Sequence, residues 1–152
     1  MSAKILIIDD ETSVRTMMRL ALEHTGYTVD IAQDGAEGIE KYGDGAGYDL
    51  VLLDQRMPGM NGMEVHQVIR QKNPDAKVII TTAFGTIDLA SRAMASGAAD
   101  FLRKPFTADT LRLSVKSALE RPSDKRPNSP MGSFERTTIN GYRIELMTEI
   151  HD

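Results

Sequence analysis

The chain has 152 residues, a formal net charge of -4 and no cysteine. This length suits one domain of ordinary size with a modest extension, and the lack of cysteine excludes a disulfide framework, a thiol nucleophile and thiolate metal ligands. A mildly acidic chain without a basic patch argues against nucleic-acid binding by this segment. Because its apolar runs are too short for a signal peptide or a membrane span, we expect a cytoplasmic protein that does not bind membranes.

Five apolar runs alternate with five helical patterns between residues 4 and 120. The predicted strands are residues 4–9, 27–32, 48–53, 77–82 and 99–102. The helices between them show apolar residues at helical spacing on one side only. Signals for the start or end of these helices are, in chain order, Gly26, the glycine-rich stretch 43–47, the capping-box pair Asn61 and Glu64, Asn73-Pro74, Thr86, Gly97 and Thr107.

This alternation indicates right-handed crossover units and a parallel sheet. The strands are apolar throughout whereas the helices are apolar on one side, so we expect helices on both faces of the sheet. The sequence therefore predicts an α/β fold of flavodoxin-like type, with a doubly wound, five-stranded parallel sheet.

The composition changes after residue 120, where the first domain is expected to end. Residues 121–130 contain three prolines and almost no apolar side chain, as a linker does. In the extension 131–152, Asn140-Gly141 separates two β-prone runs and predicts a β-hairpin. Since two strands alone are marginal in water, the hairpin needs a partner surface: its own domain, another copy, or a domain outside this chain.

Polar residues follow four of the predicted strands. Asp9 ends the first strand and Asp10 follows it, Asp54 follows the third, Thr82 ends the fourth, and Lys104 comes two residues after the fifth. Binding and catalytic sites in open parallel sheets lie outside the carboxyl ends of the strands. We therefore expect three carboxylates, a hydroxyl and an ammonium at one edge.

These groups suit the transfer of a phosphoryl group to a carboxylate. Such transfer needs an aligned acceptor oxygen, positive charge for the phosphoryl oxygens and a divalent metal. Asp54, in a central position and followed by a loop, is the predicted acceptor. Mg²⁺ (or Mn²⁺) prefers oxygen ligands, which Asp10, Asp54 and the Arg56 carbonyl can supply, with Asp9 acting through water. Lys104 offers a charge and Thr82 a hydroxyl donor to the phosphoryl oxygens.

Taken singly, each of these residues has an ordinary structural interpretation. The acidic pair is equally typical of a helix N-terminus, a lone aspartate after a strand more often caps a loop, and Thr82 and Lys104 are common surface or strand-end residues. The joint placement of all of them at separate strand ends favours a site.

On these residues the chain resembles the receiver domain of two-component response regulators, over residues 4–120. The stretches DQRMPGMNGMEV and TTAFGTIDLASRAMASGAADFLRKPF are most similar to receivers of the nitrogen-regulatory type, which are normally linked to an AAA+ ATPase. The resemblance implies a cis bond between Lys104 and Pro105 and identifies Phe101 as the switch aromatic residue.

The resemblance also implies a signalling cycle. A histidine kinase or phosphotransfer protein would phosphorylate Asp54, and Thr82 and Lys104 would move toward the new charge. Phe101 would then turn inward and remodel the face of helix four, strand five and helix five for an unknown downstream effector. A homodimer through this face is a further expectation, and no enzyme activity beyond the domain's own phosphorylation and dephosphorylation is implied.

Two further hypotheses concern turnover. Phe84 and Arg56 would flank the path of an attacking water, and a bulky Phe84 would slow hydrolysis of the acyl phosphate. The competing interpretation is an aspartyl-phosphate-forming phosphohydrolase of similar fold. Such enzymes usually place a second aspartate two residues after the nucleophile, where this chain has Arg56.

Overall fold

The computed structural model describes residues 2–45, 47–83 and 85–121, together with two short strands near the C-terminus. Five strands and five helices alternate along the first 120 residues. The strands are β1 (Lys4–Ile8), β2 (Thr28–Ala32), β3 (Leu50–Asp54), β4 (Val78–Thr82) and β5 (Asp100–Arg103). The helices are α1 (Thr12–Thr25), α2 (Gly35–Tyr42), α3 (Gly62–Lys72), α4 (Ile87–Ala95) and α5 (Ala108–Glu120).

All five strands are parallel and form one sheet in the order β2-β1-β3-β4-β5. This confirms the predicted flavodoxin-like fold. The strand boundaries differ from the predicted ones by one or two residues. The largest difference is in β3, which begins at Leu50 rather than residue 48 and includes Asp54.

The core lies in two layers, one on each face of the sheet. On one face, the strands pack against α1 and α5 through Met18, Leu22, Leu111 and Val115. On the other face, they pack against α2, α3 and α4. The central strands β1, β3 and β4 alternate their side chains between these layers, which explains why they are apolar throughout.

The strands β6 (Thr138–Ile139) and β7 (Tyr142–Arg143) form an antiparallel pair around the predicted Asn-Gly turn. Cα atoms of β6 lie within 8 Å of Cα atoms of β5, the edge strand of the five-stranded sheet. The remaining residues of the predicted linker and extension beyond residue 121 lie outside the described residues, as does Phe84.

Candidate phosphoacceptor site

The carboxyl ends of neighbouring parallel strands bring the predicted residues together. Asp54 is the last residue of β3, Thr82 is the last residue of β4, and Asp9 directly follows β1. The Asp9 amide donates to the Ala32 carbonyl at 3.1 Å, so the backbone is still held in the sheet where the acidic pair begins. The fold therefore fixes these side chains from rigid elements, which favours a preorganised site.

Lys104 lies at the centre of the acidic side chains. Its Nζ lies 2.9 Å from Asp9 Oδ2 and 3.2 Å from Asp54 Oδ1. The side chains of Asp9, Asp54 and Lys104 are 0%, 4% and 10% exposed. Buried charges of this kind are stable only when they are paired. The ammonium is therefore confined to the position where it meets both buried carboxylates. The Lys104-Pro105 peptide that follows is cis, as expected.

A third carboxylate on Lys104 was not anticipated from the sequence. Glu11 Oε1 lies 3.3 Å from Lys104 Nζ, with the Glu11 side chain 57% exposed. The Glu11 amide also donates to Asp9 Oδ1 at 2.9 Å, which fixes the second oxygen of that carboxylate. The sequence signal was present in the acidic run at residues 9–11, but Glu11 was interpreted only as part of a helix N-terminus.

The site holds more negative than positive charge. Burial raises the pKa of Asp54 to about 7, the charge of Asp9 adds to the rise, and the charge of Lys104 opposes it. Burial also raises the pKa of Asp9, against the bonds from Glu11 and Lys104. For Lys104, burial alone would lower the pKa, but its bond to Asp9 and the charge of Asp54 outweigh burial and raise it. One ammonium does not neutralise this cluster, so a further cation is favoured there.

Asp9, Asp10 and Asp54 can each offer one oxygen, and these three oxygens lie within 4.8 Å of one another. Opposite ligands of an octahedral Mg²⁺ are roughly 4 Å apart, so the cluster needs little adjustment to hold that ion. Asp10 is exposed, which leaves one side open to the waters that Mg²⁺ retains. Arg56 lies in the loop after β3 with an exposed side chain. The donor set fits a hard divalent cation.

The loop after β3 is tied to the start of α3. The Gly62 amide donates to the Gln55 carbonyl at 2.9 Å, and the Met63 amide donates to Gln55 Oε1 at 2.9 Å. A Cβ at position 62 would lie 2.7 Å from the Asp54 carbonyl oxygen, so only glycine permits this approach. Gly62 thereby helps to position the backbone of the acceptor, a role that the sequence did not reveal.

Thr82 and Phe101 are 0% and 2% exposed. A Cβ at Gly85 would lie 2.9 Å from Phe101 Cε2 and 3.2 Å from Thr82 Cγ2, so the ring and the threonine meet the same small space beside this glycine. Phe101 is thus already packed inside the protein in this structure. The sequence-based expectation placed its inward movement after phosphorylation.

The family model for the response regulator receiver domain matches residues 5–116. The chain belongs to the response regulator receiver family. Its relatives include the response regulator MprA of Mycobacterium sp. (strain KMS), 33% identical over 147 residues that cover 96% of this chain and 64% of MprA. The chain thus spans less than two thirds of the length of that relative.

Two further comparisons bear on the predicted subfamily and fold of this receiver. The transcriptional regulatory protein ZraR of Klebsiella oxytoca is 37% identical over 134 residues, covering 84% of this chain and 30% of ZraR, in agreement with the predicted nitrogen-regulatory subfamily. The structure of the CheX–CheY–BeF₃–Mg²⁺ complex of Borrelia burgdorferi matches with a TM-score of 0.75 at 28% identity, covering 78% of this chain and 90% of that chain. Among the described residues, every helix is too short or too polar to span a bilayer.

Proposed function

We propose that Asp54 accepts a phosphoryl group from a phosphohistidine of a histidine kinase or phosphotransfer protein. The single observation that carries this proposal is the position of Lys104 Nζ, 3.2 Å from Asp54 Oδ1, beside three aspartate oxygens within 4.8 Å of one another. An Asp54 oxygen would attack phosphorus as the P–N bond of the donor breaks. The bonding electrons would remain on the histidine nitrogen, and an acyl phosphate would form.

The residues around Asp54 would divide the work of stabilising that transfer. Asp9, Asp10, Asp54 and the Arg56 carbonyl would hold Mg²⁺ (or Mn²⁺), which supplies positive charge to the phosphoryl oxygens when bound. Lys104 would exchange its contact with Asp54 Oδ1 for a phosphoryl oxygen, and Thr82 would donate its hydroxyl to another. Most of the positioning of these side chains would come from rigid strand ends rather than from flexible loops.

The altered contacts of Thr82 and Lys104 would change the conformation of β5 and its flanking helices. Lys104 directly follows β5, and Thr82 is paired in register with Arg103 of that strand. A change at either residue therefore acts on the backbone of β5. This would remodel the face formed by α4, β5 and α5 toward a downstream effector or a second copy.

The chain would act as a switch rather than as an enzyme with a separate substrate. We place its receiver at residues 1–120, a linker at 121–130 and an extension at 131–152, in the cytoplasm where the donor's catalytic domain would be found. The slowing of hydrolysis by Phe84 remains part of this proposal. The phosphohydrolase alternative gains no support from position 56, where an exposed Arg56 replaces the acidic residue that such chemistry uses.

The proposal is tested by incubating the chain with acetyl phosphate and Mg²⁺ and measuring the intact mass. We expect the gain of one phosphoryl group, its loss in Asp54→Asn, and its loss when the metal is chelated. Asp88→Asn is the matched control, because Asp88 is an exposed carboxylate that pairs with Arg92 on the same helix. A phosphoryl gain that persists in Asp54→Asn, or release of phosphate over many turnovers, would contradict the proposal.

A further inference from the structure

The outer edge of β5 is a surface that the receiver's own sheet leaves unpaired. β5 is the last strand in the order β2-β1-β3-β4-β5 and pairs with β4 on its inner side. An edge strand presents backbone amides and carbonyls on which another strand can pair, and proteins commonly cover such edges. In this structure β6 of the C-terminal hairpin lies beside that strand, with Cα atoms within 8 Å.

The chain leaves the receiver next to the same edge. Arg121, the residue after α5, donates from Nη2 to the Ala99 carbonyl immediately before β5. Lys77 Nζ donates to the Arg121 carbonyl at 2.6 Å and to the Leu119 carbonyl at 3.2 Å. These bonds fix the start of the linker at the amino end of β5.

The segment between the receiver and the hairpin is long enough to return the hairpin to this edge. Sixteen residues (122–137) separate Arg121 from β6 and reach roughly 50 Å when extended, whereas the four residues of β5 span only about 13 Å. A short tether of this kind gives an effective concentration of about a millimolar for docking within one chain. A second copy would have to compete with that concentration.

The surroundings of β5 offer the apolar surface that a two-stranded hairpin lacks on its own. The helices that pack against β5 each carry an exposed large apolar side chain, Ile87 on α4 (74% exposed) and Leu113 on α5 (68% exposed). Leu113 lines a shallow groove along α5 that ends at Arg121, beside the start of β5.

We propose that the hairpin of β6 and β7 docks on the outer edge of β5 of its own receiver and covers the face of α4, β5 and α5. The hairpin is therefore a tethered competitor for whatever binds that face. An effector or a second copy can bind this face only when the hairpin dissociates from it. This regulatory consequence rests on the proposed function, but the docking itself needs neither metal nor phosphorylation.

Docking is measured on the full chain, without Mg²⁺ or a phosphoryl donor, by paramagnetic relaxation enhancement. The chain has no cysteine, so Glu145→Cys gives one attachment point for a nitroxide just beyond β7. We expect loss of amide signal intensity in β5 and unchanged intensity in β2 at the opposite edge, four strand spacings or about 19 Å away. Equal intensities in β5 and β2 would overturn the proposal.

Two further experiments distinguish docking of the hairpin on its own receiver from docking by another segment or by a second copy. In the labelled chain, Thr138→Pro removes a backbone donor of β6 and restricts its strand pairing, so the intensity loss in β5 should disappear. Ser133→Pro, which lies between Arg121 and β6, should retain that loss. An intensity loss that survives Thr138→Pro would overturn the hairpin as the occupant of the edge.

In a second experiment, a nitroxide-labelled chain is mixed with an isotope-labelled chain that lacks the cysteine. Signal loss in β5 of that second chain would assign the edge to another copy and overturn docking within one chain. Because no arm involves Asp54 chemistry, failure here leaves the phosphorylation test unaffected.

Discussion

Asp54→Asn should stabilise the metal-free protein at neutral and alkaline pH. In the wild type, burial and the Asp9 charge raise the pKa of Asp54 from 3.8 to about 7. Between these pH values the native state binds more protons than the unfolded state, so the free energy of unfolding falls as the pH rises. Asparagine does not ionise and escapes this loss. Its amide oxygen can still accept a hydrogen bond from Lys104, which keeps Asp9 and Glu11 as partners.

The magnitude follows from the pKa. A rise from 3.8 to about 7 corresponds to about 4 kcal/mol once the carboxyl is ionised. The charge and hydrogen bond of Lys104 oppose this rise, so the favourable contact with Lys104 is already included in that figure. We therefore expect Asp54→Asn to raise the free energy of unfolding by up to about 4 kcal/mol at pH 8 and by little at pH 4.

The measurement is urea unfolding of both proteins in a chelator from pH 4 to pH 8, with Asp88→Asn as the exposed-carboxylate control. Adding Mg²⁺ should then stabilise the wild type much more than Asp54→Asn, since a ligand that binds only the native state raises its stability. A difference between wild type and Asp54→Asn that does not change with pH would refute the electrostatic reasoning. Destabilisation by Asp54→Asn at pH 8 would show that its contact with Lys104 outweighs the cost of burial.

Three other substitutions test the fold around the site, each by urea unfolding. Gly38→Ala would place a Cβ 2.4 Å from Cδ1 of the fully buried Ile8 and should cost about 1–3 kcal/mol; a more stable variant would contradict this. Asn61→Ala removes the capping box with Glu64 and should cost about 1 kcal/mol, whereas no loss would mean that the cap is dispensable. Burial lowers the pKa of His66 from 6.5, so the unfolded state binds more protons at acid pH and stability is lost as the pH falls below about 6.5. His66→Gln should remove that loss, and an unchanged pH dependence would argue against it.

The sequence predicted the fold and the placement of the main candidate site residues, because both depend on patterns that the chain displays directly. Continuous apolar runs followed by Asp54, Thr82 and Lys104 locate the strand ends, and a parallel sheet brings strand ends together. Gly62 and Gly85 could not be assigned in this way. Their importance lies in how closely other atoms approach them, and such distances depend on packing between elements that are remote in the chain.

The inward movement of Phe101 stays a prediction, and the burial of this residue bears on the energy available to the switch. Burying a phenylalanine side chain contributes about 2–3 kcal/mol, and in this structure that contribution is already present because Phe101 is 2% exposed. From this conformation, phosphorylation would gain nothing further from burial of the ring. A modification shifts a conformational equilibrium only by the contacts that differ between the two states. For this chain those are the contacts that Thr82 and Lys104 would make with the phosphoryl group. The driving force for switching should accordingly be electrostatic and lie at the strand ends, with the aromatic ring acting as packing around Gly85 rather than as the source of the energy.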